Sequence, residues 1–285
     1  MASASVPAST ASSATAPPPA LRIASPAAAW FASDMHLDDA QPETAARFFE
    51  RLDVALAAAR ANTPDAGVPA LFLLGDIFEY WIGDDHQPAV AQVLAERLAA
   101  FTNAGGQAFL MHGNRDFLLD APLPAQPTLP PFSVRCGAML LPDPTLVDLA
   151  GRRIVLSHGD ALCSDDVGYQ QWRALCRSPA WQQQFLARPV AERIEMARAL
   201  RKQSMQAQAA TETVGDVAQE AVDALLTRLG ATLLVHGHTH RPMLHSWDQR
   251  QRWVLSDWSA EPPRGEVLPL AVLNAPDAAD VTRCR

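Results

Sequence analysis

The sequence predicts an α/β fold, on three observations. Five short runs that are apolar at every position alternate with helical patterns. Of the 285 residues 48% are hydrophobic, enough to bury a sizeable core and to exclude a disulfide-stapled mini-protein. Each apolar run is followed at once by polar residues able to hold a metal. The net charge of −8 argues against a general nucleic-acid binder, which carries a basic face, but leaves room for a small basic pocket for an anionic substrate.

The elements follow in order. Met1 to Pro19 is Ala, Ser, Thr and Pro without a charge, so it lacks the basic start of a signal peptide. Residues 1–20 are expected to be a disordered tail, because they have too little apolar surface to offset ordering entropy; the tail is taken to 1–28, with one domain over 29–285. Ala28–Ala32 is the first expected strand. Thr44–Ala61, with Phe48, Leu52 and Leu56 at helical spacing, is the first helix. Ala70–Leu74 is a strand, and Pro88–Asn103 is a helix stopped by Asn103-Ala104-Gly105-Gly106. Ala108–Met111 is a strand. Asp120–Pro131, with five prolines, is a loop. Ile154–Leu156 is a further strand.

The alternation then breaks. Asp166 to about Ala210 is helical in pattern, with Trp172, Trp181, Phe185, Ile194 and Leu200 as apolar surface and several arginines. It reads as an insertion, a lid of about residues 164–212. The helix Asp216–Leu229 leads back to a strand at Leu233–Val235. The last part, from Met243 to about Val272, with Trp247, Trp253–Leu255 and Leu268–Leu273 as its apolar positions, is expected to supply antiparallel strands of a second sheet. No apolar stretch reaches the length of about 18 residues that a membrane span needs. Cys136, Cys163, Cys176 and Cys284 form no C-x-x-C pair, so no zinc knuckle is suggested, and their sparse spacing suits a reducing cytosol.

The chemistry lies at the ends of the runs. They are followed by Asp34-Met35-His36, by Gly75-Asp76, by Gly113-Asn114-Arg115-Asp116, by His158-Gly159-Asp160 and by Gly237-His238-Thr239-His240. Alone, D-x-H is an ordinary turn and G-D a common helix cap. Five such motifs, each after a strand, point to one crevice at the carboxyl ends of the strands. The donors Asp34, His36, Asp76, Asn114, His158, His238 and His240 are carboxylate, amide and imidazole, without thiolate. That set suits Mn²⁺, Fe²⁺ or Zn²⁺. Seven ligands are too many for one ion; two ions about 3.5–4 Å apart, bridged by a carboxylate, would use them. Asp76 arrives alone on its strand and is the natural bridge. Two such cations make hydroxide available from a shared water and neutralise phosphoryl oxygens, so no protein nucleophile is required. Arg115 can bind a phosphate oxygen with its planar fork.

D-x-H, G-D, G-N-R-D, H-G-D and G-H-T-H in this order resemble the calcineurin-like metallophosphoesterases. Longer segments, Phe72–Asp85, His112–Leu119, His158–Gln170 and His236–Pro242, are similar to signatures of the UDP-2,3-diacylglucosamine pyrophosphatase family within them. The resemblance covers about Trp30 to His245. It implies two central β-sheets flanked by helices, with a helical insertion as a cap. It implies hydrolysis of UDP-2,3-diacylglucosamine to lipid X and UMP in lipid A biosynthesis, with Mn²⁺, at the cytoplasmic face of the inner membrane. It also implies that Asp34, His36, Asp76 and His240 hold one ion, and that Asp76, Asn114, His158 and His238 hold the other. Asn114, Arg115, Asp166, Ser204 and His238 would contact substrate. The alternatives are another dinuclear phosphodiesterase acting on nucleotides, which needs no amphipathic cap, and a non-catalytic scaffold of the same fold, which would have lost ligands.

Overall fold

The computed structural model describes residues 21–23, 29–61, 68–149, 151–210 and 215–273. The chain order is β1 (Leu21–Ile23), β2 (Ala29–Ala32), α1 (Pro42–Ala61), β3 (Ala70–Leu74), α2 (Ala89–Asn103), β4 (Gln107–Met111), α3 (Phe132–Arg135), β5 (Met139–Leu141), β6 (Thr145–Leu149) and β7 (Arg152–Leu156). Then come α4 (Val167–Cys176), α5 (Pro179–Leu186), α6 (Val190–Ala210), α7 (Gln219–Leu229), β8 (Leu233–His236), β9 (Met243–Trp247), β10 (Arg250–Val254), β11 (Leu268–Pro269) and α8 (Leu270–Leu273). The strands form two sheets, in the orders β11-β2-β3-β4-β5 and β1-β6-β7-β8-β10-β9. The five expected strands are all present, divided between them.

The two-residue period of a strand explains the layering. In β2, β3 and β4, Phe31, Phe72 and Phe109 share one register and stack at ring separations of 5.1 and 4.8 Å. They face Val147, Ile154, Leu156, Leu233 and Val235 of the other sheet, forming the core between the sheets. Their neighbours Trp30, Leu71, Leu73 and Leu110 point the other way, onto Phe48, Leu52, Leu94 and Leu98 of α1 and α2. On the far side, Val155 and Leu234 pack on Val222, Leu226 and Leu229 of α7. Both sheets are therefore buried on two faces, which is why their central strands read as continuous apolar runs. Burying one such phenylalanine stabilises the fold by about 1.5–3 kcal/mol.

The structure corrects the sequence reading in three places. Leu21–Ile23, assigned to the tail, forms β1 and pairs in parallel with Val147–Leu149; residues 1–20 and 24–28 lie outside the described residues, as does Cys284. β5 and β6 went unassigned, because Leu-Pro-Asp-Pro breaks the pattern between them. The carboxyl-terminal segment does not stay in one sheet. β9 and β10 form the expected antiparallel hairpin, but β11 crosses to pair with β2, and Leu270–Leu273 is helical. Within the insertion, Phe185, whose helical spacing is compatible with ordinary packing as well as with a face for acyl chains, is buried in the core over the α1–α2 side of the fold. There it stacks on Trp181 at 5.0 Å, and Trp181 packs edge-on against Trp172. No helix among the described residues is long and apolar enough to cross a membrane.

Candidate metal centre

The loops after β2, β3, β4, β7 and β8 meet at one edge of the sandwich. Backbone hydrogen bonds continue the strand pairing into them: Asp34 N–H donates to Gly75 O, His36 N–H to Asp76 O, and Gly237 N–H to His158 O. Asp34, His36, Asp76, His238 and His240 all have φ between 48° and 70°. That left-handed conformation costs a non-glycine residue on the order of 1–3 kcal/mol and turns the side chains inward. Two glycines permit the close approach. A Cβ on Gly113 would lie 2.1 Å from Asp76 Oδ1, and one on Gly237 2.1 Å from Asp34 Oδ2.

The seven expected donors converge. His36 Nε2 lies 3.2 Å from His240 Nε2, and His240 Nε2 lies 3.3 Å from Asp34 Oδ1. Asn114 Oδ1 is 3.0 Å from His158 Nε2 and 2.9 Å from His238 Nδ1. Asp76 stands between these groups, with Oδ1 3.6 Å from His158 Nε2 and Oδ2 3.9 Å from His36 Nδ1. Asp34, His36 and His240 form one group whose ligand atoms all lie within 4.8 Å of one another; Asp34, Asp76 and His158 form a second. Asp34 thus belongs to both groups, while Asp76 reaches from one to the other.

These residues fit a divalent cation. Every donor is oxygen or nitrogen, and His36 Nδ1 is buried without a hydrogen-bond partner. The electrostatics also call for positive charge. Burial would raise the Asp34 carboxyl, but the hydrogen bond from His240 and the nearby imidazoles His158, His240 and His36 hold it well below the carboxylate range. Burial would lower His158, yet Asp76, Asp34, Asp160 and Asp143 outweigh it and lift this imidazole to about 9. Both its ring nitrogens face acceptors, Leu74 O at 3.0 Å and Asn114 Oδ1, so the protonated ring donates twice. A cation at Nε2 would replace one proton and leave Nδ1–H on Leu74 O, which fixes the tautomer. Burial and the neighbouring His158 lower His238 to about 4.

The surrounding shell explains further residues. Asp116 is fully buried and accepts N–H groups from Gly113 at 2.6 Å and Ile77 at 2.7 Å, so it braces the loops after β4 and β3. Arg115 donates its backbone N–H to Asp76 Oδ1 at 2.9 Å, while its guanidinium pairs with Glu79. Asp166 caps α4 by accepting from Tyr169 N–H at 2.9 Å and is exposed. Ser204 lies in α6, in a stretch whose side chains are outside the described ones.

Several residues escaped the sequence reading. Asp160 accepts from Tyr169 Oη, from Arg173 Nε at 2.8 Å and from Arg177 Nη2 at 3.3 Å. Arg177 also donates to Gly113 O at 2.9 Å, which fastens the insertion to the loops that carry His158 and Asn114. Asp257, after β10, lies 3.9 Å from His240 Nδ1 and braces that imidazole. Glu79 meets Arg115 and, from α6, Arg201. The partners of Asp160 lie on the following helix and its end, and those of Glu79 are 36 and 122 residues away, so no periodic pattern marks them.

The model of the calcineurin-like phosphoesterase family matches residues 28–242. A UDP-2,3-diacylglucosamine hydrolase of Chromobacterium violaceum is 46% identical over 232 residues, covering 80% of this chain and 89% of that protein. Namesakes from Stenotrophomonas maltophilia and Xanthomonas campestris are 42% and 43% identical, each covering 80% of this chain and 90% of the relative. A solved cold-active protein-tyrosine phosphatase of a psychrophilic Shewanella covers 93% of this chain and 82% of its own, at 18% identity and a TM-score of 0.40. With its motifs, its two-sheet fold and its converging donors in place, the chain belongs to the calcineurin-like phosphoesterases and, within them, to the family of UDP-2,3-diacylglucosamine hydrolases.

Proposed function

We propose that the chain adds water across the diphosphate of UDP-2,3-diacylglucosamine, releasing 2,3-diacylglucosamine 1-phosphate (lipid X) and UMP in lipid A biosynthesis. The observation that carries this reading is the meeting of all seven donors at one crevice in a chain 46% identical to a hydrolase of that name. Asp34, His36, Asp76 and His240 would hold one Mn²⁺, and Asp76, Asn114, His158 and His238 would hold the second. The span of Asp76 between His36 and His158 supports its bridging role. Two such cations, when bound, lower the pKa of water and neutralise charge on phosphoryl oxygens.

The protein's own groups do the rest. Arg115 offers its guanidinium to a phosphate oxygen, a charge-assisted contact. Asp116 keeps Gly113 and Ile77 in register, so Asn114 and Asp76 stay aligned. Asp166 and Ser204 of the lid and His238 of the core are assigned to substrate contact on the resemblance to the family. Domain 29–285 carries the chemistry, with residues 164–212 as the lid. The lid meets the cytoplasmic face of the inner membrane as a peripheral contact. Support comes from Val167 and Leu175 of α4, 61% and 54% exposed, and from the exposed basic residues Arg188, just before α6, and Arg198 and Lys202 within it.

The test is purified protein with UDP-2,3-diacylglucosamine and Mn²⁺. Release of UMP and lipid X in equal amounts is expected. Absence of UMP would refute the proposal.

A further inference from the structure

Glu79 sits in the loop after β3, outside the metal donors, with its backbone fixed: its N–H donates to Leu37 O at 3.1 Å, and Leu37 bridges Phe78. Its carboxylate is divided between two arginines. Oε2 meets Arg115 Nη1, on the β4 loop, and Oε1 accepts from Arg201 Nε at 2.5 Å, on α6 of the insertion. The three side chains are 16%, 12% and 25% exposed, so this is a partly desolvated cluster beside His36, whose Nδ1 is 3.8 Å from Glu79. Arg115 Nε is buried without a hydrogen-bond partner and lies 3.4 Å from Asp76 Oδ2. Arg115 therefore presents a donor without a hydrogen bond on the side of the metal centre.

Two guanidiniums do not sit side by side unaided, because like charges repel. One carboxylate, gripped from both sides, makes the arrangement stable and leaves a net positive charge. We infer that Glu79 is a positioning residue that ties Arg115 of the core and Arg201 of the insertion into a two-guanidinium clamp for the substrate's diphosphate. The inference rests on the proposed function. A diphosphate diester carries negative charge on each phosphoryl group, and the planar forks of two arginines match those oxygens. Without Glu79, Arg201 is free to turn toward solvent and α6 loses a link to the site. The cost then falls on binding of the diphosphate.

The test uses the full-length enzyme with Mn²⁺. Glu79→Gln should raise KM for UDP-2,3-diacylglucosamine about tenfold, with the loss in KM rather than kcat. Glu79→Asp, which keeps the charge, should recover part of it. The double variant Glu79→Gln/Arg201→Ala should be no worse than Arg201→Ala alone, since coupled residues are not additive. Metal content and thermal midpoint, measured on the same samples, should match the wild type. Calorimetric affinity for UDP, which carries the diphosphate without lipid, should fall by a similar factor. An unchanged or lowered KM, additive effects, or loss of metal with activity would overturn the inference. The UDP arm needs no turnover. Failure of the wild type to release UMP would therefore refute the function, while the UDP arm still decides the clamp.

Discussion

Arg193 of α6 is buried against Asp85 in the loop after β3. The guanidinium meets both carboxylate oxygens and also donates to Ile82 O, with Nη1 2.9 Å from Asp85 Oδ1. Arg193 is 2% exposed. Asp85→Ala should therefore leave an uncompensated buried cation and destabilise the protein by about 3–5 kcal/mol. Combining it with Arg193→Met should recover part of that loss, because an apolar replacement removes the stranded charge. Urea unfolding of the two variants checks this; equal stability of the single variant and the wild type would refute it.

That pair also shows where the sequence stops being informative. The strands that lead to Asp34, Asp76, Asn114, His158 and His238 were legible because each carries a run that is buried on both faces and apolar throughout. The donors were legible because each follows its strand directly. Asp85 and Arg193 are 108 residues apart and Glu79 and Arg201 are 122, and nothing periodic links them. β1 was missed because a three-residue strand has no period to read. The burial of Phe185 was not legible, because helical spacing gives the face of a helix but not what covers it.

Gly113→Ala should abolish metal binding and activity together. Its Cβ would lie 2.1 Å from Asp76 Oδ1 and 2.2 Å from Asp76 N, so Asp76 must move from its place between His36 and His158. A backbone neighbour cannot yield cheaply. Metal analysis of the purified variant is the check, and wild-type metal content would refute the steric argument.

Metal binding should release protons near neutral pH. Burial opposes the charge on His158, but Asp76, Asp34 and Asp160 outweigh it and raise the group to about 9, so at about pH 7.5 the metal-free ring is protonated. A cation must displace that proton, and affinity should rise with pH by up to about one log unit per pH unit below 9. His238, lowered to about 4, is already neutral and releases none. Mn²⁺ titration of chelator-treated protein in weak buffer, followed with an indicator dye, reads the release directly. Affinity that is flat between about pH 6.5 and 8.5 would exclude the mechanism. Chelation itself should abolish turnover and Mn²⁺ should restore it.

Arg115→Ala should impair turnover while sparing the metals. The substitution keeps the backbone N–H on Asp76 Oδ1, and a guanidinium donates but does not ligate a cation. The lost contact is worth about 1.5–3 kcal/mol, or roughly ten- to a hundredfold in kcat/KM. Metal content measured beside the rate decides the role: loss of both would mean that Arg115 supports the centre itself.

The insertion offers two kinds of apolar residue, and they should respond oppositely to charge. Phe185 is 4% exposed and stacked on Trp181, so Phe185→Asp buries a carboxylate and empties a packed site. The cost should be at least about 3–5 kcal/mol, with stability and every activity falling together. Leu175 is on α4 at 54% exposure, and Leu175→Asp should change stability by no more than about 0.5 kcal/mol. If α4 meets the bilayer, the aspartate adds repulsion to an anionic surface and removes apolar contact. Sedimentation with phosphatidylglycerol-containing vesicles should then show weaker binding at an unchanged thermal midpoint. A stable Leu175→Asp protein that sediments as the wild type does would place the membrane contact elsewhere on the insertion.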